Sequence, residues 1–246
     1  MEGLKANLGL SNITLGTMRF FDKSLSSNEV TSLIEEAYSI GINTHHSSSE
    51  YSSYSLYTAA LKKASCAKNV KHIVKMSAPH FEDNIFSSKL FENRVDNALK
   101  VLNIEQIDVL QWLLRSKPIN DQDRLNTLFK FKDEIEDLLL KLKQKGKIKS
   151  VFSFPYSVPF AEKVEKLNEI DGIISYLNKE EQDYSKFATK KPFIAIRPFF
   201  AGALLKDSKN INERIKSCLD FIQTNKTVIS TVVGINSIQQ LEAFKN

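Results

Sequence analysis

The chain has 246 residues, 42% of them hydrophobic and 26% charged, which is the make-up of one sizeable globular domain and excludes a disordered chain. Its formal charge of +5 comes from lysines interleaved with Glu and Asp, without the basic and aromatic patterns of nucleic-acid readers, so no nucleic-acid partner is expected. No apolar run reaches membrane-spanning length, Met1 to Lys5 lack the features of a secretory leader, and Cys66 and Cys218 stand outside any disulfide or zinc spacing, so a cytoplasmic protein with no membrane partner is expected.

Short apolar runs alternate with segments of helical period from one end of the chain to the other, which implies parallel strands joined by helices. The first strand is predicted over 13–18, and 8–15 is a candidate for a small hairpin beneath a barrel. Ser26 and Glu29 have capping-box spacing, Val30, Leu33, Ile34, Ala37 and Tyr38 form a buried stripe, and Gly41 is predicted to end that helix in a left-handed conformation. Strand two is expected over 42–47 with a helix over 53–64, and strand three over 70–76. A helix with Phe91, Val95, Ala98, Leu99 and Leu102 on one face leads to an apolar fourth strand, 107–114.

Ser116 to Lys130, between strand four and its helix, is the longest stretch without a clear assignment, and a long loop there would sit at the functional face. Ile135, Leu138, Leu139 and Leu142 mark the next helix, whose lysine-rich end, 141–149, places cations at the negative pole of the helix dipole and runs into strand five, 148–154. Strands six (172–177), seven (193–199) and eight (228–235), separated by predicted helices, complete the set. Eight such units fit a single-domain (β/α)8 TIM barrel over 1–246 better than an open doubly wound sheet, whose glycine-rich first turn is missing. In such a barrel the working site lies among the loops that follow the strands.

Several segments, in order along the chain, resemble the aldo-keto reductase family over about residues 8–244. They are Thr14-Leu15-Gly16-Thr17-Met18-Arg19; Gly41-Ile42-Asn43 followed by His46 to Tyr51; Val95 to Leu102 followed by Ile107-Asp108-Val109-Leu110; Gly146 to Ser150; Ile196 to Leu205; and Val232 to Glu242. The resemblance implies hydride transfer between a nicotinamide cofactor, NADPH or NADH, and a small-molecule carbonyl substrate such as an aldehyde, a ketone or a sugar. In that family a Tyr donates the proton, a Lys lowers its pKa, an Asp orients the Lys and a His positions the carbonyl. Tyr51 and Lys75 stand at the first two positions; His46 occupies the Asp position and Leu113 the His position.

These substitutions change the chemistry. A phenol ionises near 10, so a neighbouring cation such as Lys75 favours proton donation by Tyr51. An imidazole at 46 does not pair with an ammonium as a carboxylate does. Leu113 removes a donor whose loss typically costs about 10² to 10³ in turnover.

On the cofactor side, Phe154-Pro155 and Ser175 stand where the family holds the nicotinamide amide. The loop of Gly202 and Leu204 is a candidate for backbone contact with a pyrophosphate. Gly234, Asn236, Ser237 and Gln240 match the adenosine-phosphate loop at the start of the last helix, where a helix N-terminus suits phosphate. Asn236 replaces a basic residue that often meets the 2′-phosphate, which leaves NADPH and NADH both open. Arg197 is a candidate contact for a phosphate or an acidic substrate.

Each candidate also has a structural reading: Tyr51 as a loop aromatic, Lys75 as a strand-end lysine, His46 as a satisfied core residue, and Arg197 as the partner of an acid. Trp112 reads as packing, alternating away from Leu113. His45, His46, His72 and His80 raise a metal site, but adjacent strand residues face opposite ways, so no metal is expected. Two functions stay open: a divergent NAD(P)H-dependent reductase, with Tyr51 as acid and Lys75 as its support, or a catalytically silent barrel kept for binding or regulation. The second rests on the substituted Asp, His and amide-holding positions and on an end at Asn246, short of the tail that shapes the substrate pocket in many relatives. Isomerisation by the same Tyr and Lys is a weaker third.

Overall fold

A computed structural model describes residues 7–83, 85–115 and 120–245. The leader reading of Met1 to Lys5, and residues 116–119 of the expected long loop, lie outside the described residues. Eight parallel strands close into a barrel in chain order. They are β1 (Ile13–Gly16), β2 (Thr44–Ser47), β3 (Lys71–Ser77), β4 (Val109–Leu113), β5 (Val151–Ser153), β6 (Gly172–Tyr176), β7 (Phe193–Ile196) and β8 (Val228–Gly234). The helices are α1 (Ser27–Ser39), α2 (Tyr54–Lys63), α3 (Ser88–Leu102), α4 (Asp121–Lys130), α5 (Lys132–Gln144), α6 (Val158–Val164), α7 (Ile211–Gln223) and α8 (Ile238–Leu241). Among the described residues no helix is long and apolar enough to cross a membrane.

The chain divides into two compact units, one of residues up to 71 and from 175 onward, the other of residues 72–174. In the first, β7 pairs with β8, β8 with β1 and β1 with β2. Gly16 sits where a Cβ would come within 3.1 Å of the Val233 carbonyl oxygen, so β1 and β8 approach this closely only because the residue is glycine. The capping box of α1 forms as its spacing predicts: the Glu29 amide donates to Ser26 Oγ at 3.3 Å and the Ser26 amide donates to Glu29 Oε2 at 2.8 Å. Gly41 follows the helix with φ of 89°. Val30, Leu33, Ile34 and Ala37 are buried, and α1 packs on α2 and α8.

In the second unit β3, β4, β5 and β6 pair in sequence. Helix α3 buries Phe91, Val95, Ala98 and Leu102 and packs on α5; each large apolar side chain fully buried this way contributes about 1.5–3 kcal/mol. The lysine-rich end of α5 is neutralised by acids. Lys141, Lys145 and Lys147 all reach Glu92 of α3, while Lys143 reaches Glu169 and Asp171. Those three lysines, Lys145 first, hold the Glu92 carboxyl down to about 2.

Four expectations are corrected. Asn7 and Leu8 are helical and, among the described residues, no strand precedes β1, so 8–15 is not a hairpin. Of the expected loop 116–130, residues 121–130 form helix α4, capped by the Asn120 side chain accepting from the Asp123 amide. Its pattern is weak because only Arg124 and Leu128 are buried. Between β6 and β7 there is no α-helix, only a 3₁₀ turn at Phe187–Thr189, because Asn178 Oδ1 accepts from the amides of Glu180 and Glu181 and turns the chain at once. Strand β7 stops at Ile196 instead of 199 because Arg197 takes a left-handed φ of 58°.

Candidate active site

Strand β2 buries four polar residues, Thr44, His45, His46 and Ser47. The His45 ring turns toward α2, with Nδ1 3.0 Å from the Tyr57 hydroxyl. Alternation along the strand sends His46 to the opposite face, where its Nδ1 lies 3.5 Å from the Tyr51 hydroxyl and the rings stand 6.0 Å apart. Tyr51 belongs to the turn that leaves β2: its amide donates to the Ser48 carbonyl, and its own carbonyl accepts from the Tyr54 amide. The strand end is tied to β1, since both the amide and the hydroxyl of Thr17 donate to the His46 carbonyl, and Ser53 Oγ donates to the Thr17 carbonyl at 2.7 Å. Burial pushes the neighbouring Tyr54 phenol up to about 12 and leaves its hydroxyl unpartnered.

In the other unit, Lys75 is half-buried on β3 in register with Gln111 of β4, which is in register with Phe152 of β5, so the three share one face of the sheet. Gln111, a buried amide inside an apolar strand, was not singled out in the sequence, although a lone Gln in such a run is a visible signal. Leu113, two residues on, is 2% exposed and apolar. Trp112 faces the other way and donates from Nε1 to the Ala78 carbonyl at 2.8 Å, the packing role expected of it. Asp108 is also structural: its carboxylate accepts from the His72 amide at 2.8 Å.

Beyond these strand ends, the segment after β3 and helix α4 line a cavity of about 460 Å³ that includes Phe81, Arg115, Asp123 and Phe131, within the size range of small-molecule sites. Arg115 lies 4.6 Å over the Phe81 ring and donates to the Tyr156 hydroxyl. The Asp83 carboxylate, held below the usual carboxylate range by Arg94, forms a two-pronged pair with it at 2.7 Å.

The cofactor candidates fall into three groups. Arg197 pairs with Glu181 at 2.9 Å and lies over the Tyr176 and Phe200 rings, as its structural reading anticipated. Gly202 has φ of 93° and open space at its Cβ position, but its amide and that of Leu204 both donate to the Phe199 carbonyl, so these two residues supply shape and not donors. Gly234 is exposed with open space beside it, and Asn236 Oδ1 is buried without a partner. The Asn236 amide donates to Gln240 Oε1 at 2.7 Å, and Ser237 Oγ accepts from the Gln240 amide at 3.3 Å. Helix α8 has only four residues, too few for the helix-end attraction expected there.

Of an adenosine-phosphate moiety, the exposed Gly234 leaves space beside it, and the orphaned Asn236 acceptor suits a donor such as a ribose hydroxyl and not the phosphate. The nicotinamide end is less well served. Phe154 and Pro155 are buried without side-chain donors, and the Ser175 hydroxyl, on β6, is buried with no hydrogen-bond partner. Among the described residues no cluster of three or more His, Cys, Asp or Glu is arranged to hold a metal ion.

A parallel eight-stranded barrel with polar side chains at its strand ends defines a (β/α)8 protein. A sequence model of the Aldo/keto reductase family matches residues 12–217, and the chain belongs to that family. No curated protein matches it by sequence. Solved structures share the fold. A protein from Pseudomonas aeruginosa assigned to the aldo-keto reductases is 19% identical, with a TM-score of 0.74 over 96% of this chain and 88% of its own. An aldo-keto reductase from Bacillus halodurans in its holo form is 16% identical, at 0.70 over 95% and 85%. The glycerol dehydrogenase of Gluconobacter oxydans is 16% identical, at 0.64 over 96% and 86%.

Proposed function

We propose that the protein is a divergent NAD(P)H-dependent oxidoreductase that reduces a small aldehyde, ketone or sugar-like carbonyl, with Tyr51 as the proton donor. The observation that supports this most is the placement of the Tyr51 hydroxyl, held beside a ring nitrogen of His46 at the end of β2 in a chain of this family. The family generally uses NAD(P)H, which when bound supplies a hydride to the carbonyl carbon. Tyr51 then gives its hydroxyl proton to the carbonyl oxygen. Lys75 is the cation proposed to lower the phenol's pKa by stabilising the tyrosinate that forms. Gly234, Asn236, Ser237 and Gln240 are proposed to hold the adenosine-phosphate end, with Gly202 and Leu204 shaping the loop along the pyrophosphate and Arg197 reaching a phosphate after exchanging its Glu181 partner. The buried, unlinked Cys66 and Cys218 suit work in the reducing cytoplasm.

Fluorescence titration with NADPH and NADH, followed by a carbonyl panel that includes dihydroxyacetone on the strength of the glycerol dehydrogenase likeness, tests this reading. Saturable binding of at least one cofactor below millimolar concentration and turnover of a carbonyl are expected. Absence of binding by either cofactor at millimolar concentration overturns it. The catalytically silent barrel then becomes the better reading, favoured by the apolar Leu113 and by the engagement of Arg197 with Glu181.

A further inference from the structure

We infer that His46 is a positioning residue for Tyr51: its Nδ1 hydrogen donates to the phenolic oxygen and directs the hydroxyl proton toward the substrate carbonyl. This inference rests on the reductase reading and deepens it. In the family the position holds a carboxylate whose partner is the lysine; here the ring at 46 approaches the tyrosine, with Nδ1 3.5 Å from the hydroxyl. Three features make the approach a property of the fold. His46 is 93% buried, being 7% exposed, so its ring has few orientations open to it. Its carbonyl is fixed by two hydrogen bonds from Thr17, which sets the backbone from which the ring projects. On β1 its neighbour in register is Gly16, which has no side chain to crowd the ring.

A distance of 3.5 Å is long for a finished hydrogen bond, but bonds of this kind often tighten when substrate arrives. An Nδ1–H that donates to the phenolic oxygen directs the hydroxyl hydrogen away from the ring and toward the carbonyl. As that hydrogen passes to the substrate oxygen and the hydride reaches the carbon, the oxygen of Tyr51 gains negative charge and the bond from His46 becomes charge-assisted, roughly doubling in strength. His46 keeps its own hydrogen throughout, and the tyrosinate regains a proton from water. An imidazole thus stabilises the tyrosinate directly, where a carboxylate at 46 would repel it.

The test uses the full chain and variants that place an amide at one ring nitrogen or the other. His46→Asn sets its amide near the Nδ1 position and His46→Gln near Nε2, while His46→Leu removes both; circular dichroism checks that each variant folds. The first readout needs no activity: the ¹³Cζ resonance of Tyr51, assigned with Tyr51→Phe, reports hydrogen bonding at the phenolic oxygen, and the ¹⁵N shifts of the His46 ring report which nitrogen carries hydrogen. Expected are a protonated Nδ1 and a Tyr51 resonance displaced in the Leu and Gln variants but close to the parent in the Asn variant. In turnover, kcat is expected to fall about 10- to 100-fold for Leu and Gln, with KM within about threefold, and to stay within about fivefold of the parent for Asn. A Tyr51 resonance unmoved in all three variants, or equal losses of kcat for Asn and Leu, overturns the inference. If neither cofactor binds but the resonances behave as expected, the contact stands and the reductase reading alone falls.

Discussion

The ends of β2 and β4 were built to opposite specifications. Strand β2 runs Thr44, His45, His46, Ser47, all buried, and a strand that hides four polar side chains gives up much of the free energy that apolar burial supplies. Part of the cost is met by specific partners, Thr44 Oγ1 accepting from the Ser11 amide at 2.8 Å and His45 meeting the Tyr57 hydroxyl, while the Ser47 hydroxyl is buried with no hydrogen-bond partner. Strand β4 runs Val109, Leu110, Gln111, Trp112, Leu113, equally buried and, Gln111 apart, apolar or aromatic. Packing accounts for the sequence of β4 except at Gln111, whereas it would favour replacing the histidines of β2. Relative to the family pattern, β4 carries Leu113 where a His is usual, and β2 carries His46 where an Asp is usual.

Removing the Tyr51 hydroxyl, the proposed proton donor beyond β2, produces the largest expected effect. Tyr51→Phe is expected to lower kcat for carbonyl reduction by about 10² to 10⁴, the range for loss of a general acid, with cofactor affinity and thermal stability nearly unchanged. Single-turnover kinetics and a melting curve check both parts. A fall of less than tenfold would mean that another group delivers the proton and that the polarity of β2 is structural.

Making β4 resemble β2 sharpens the comparison. Leu113→His is expected to raise kcat about tenfold, less than the 10² to 10³ a preorganised donor is worth, because a flat ring at a position only 2% exposed has little room to take the required orientation. The same change should destabilise the fold by about 1–3 kcal/mol, since a polar imidazole replaces an apolar side chain at a buried position. Urea unfolding and steady-state kinetics on one preparation give both numbers. If activity appears only in this variant, the parent is a silent barrel.

Much of this contrast was legible in the sequence, and the part that was not has physical causes. Ser26 with Glu29, Gly41, and the Phe91, Val95, Ala98, Leu102 stripe are local or periodic, so they state their structure without help from distant contacts. The opposite orientation of His45 and His46 follows from alternation alone. Helix α4 was missed because its turns bury little besides Arg124 and Leu128 and so lack a stripe. The use of the Gly202 and Leu204 amides by the Phe199 carbonyl follows from left-handed residues at 200, 201 and 202, and only the glycine among them announces itself. That Glu181 is the acid taking up Arg197 depends on the turn at Asn178, a three-dimensional result no spacing rule supplies.

The smallest predicted effect concerns what holds the apolar end in place. Backbone hydrogen bonds join it to the segment after β3, from the Ala78 amide to the Leu113 carbonyl and from the Arg115 amide to the Pro79 carbonyl, and Arg94 braces that segment by donating to the Ser77 carbonyl and pairing with Asp83. Arg94 is a third exposed, so solvent screens the pair, and Arg94→Leu should cost about 1 kcal/mol at pH 7. The pH dependence identifies the cause. Arg94 lowers the Asp83 carboxyl below its unfolded value of about 3.9, so the pair's contribution is complete above that pH and disappears as the pH falls through the folded value. The stability gap between parent and variant should therefore be constant from pH 7 to 5 and narrow below 4. It should not close fully, because the bond from Arg94 to the Ser77 carbonyl does not titrate in that range. A gap independent of pH down to 2 would assign the bracing to that neutral bond and leave Asp83 with no part in it.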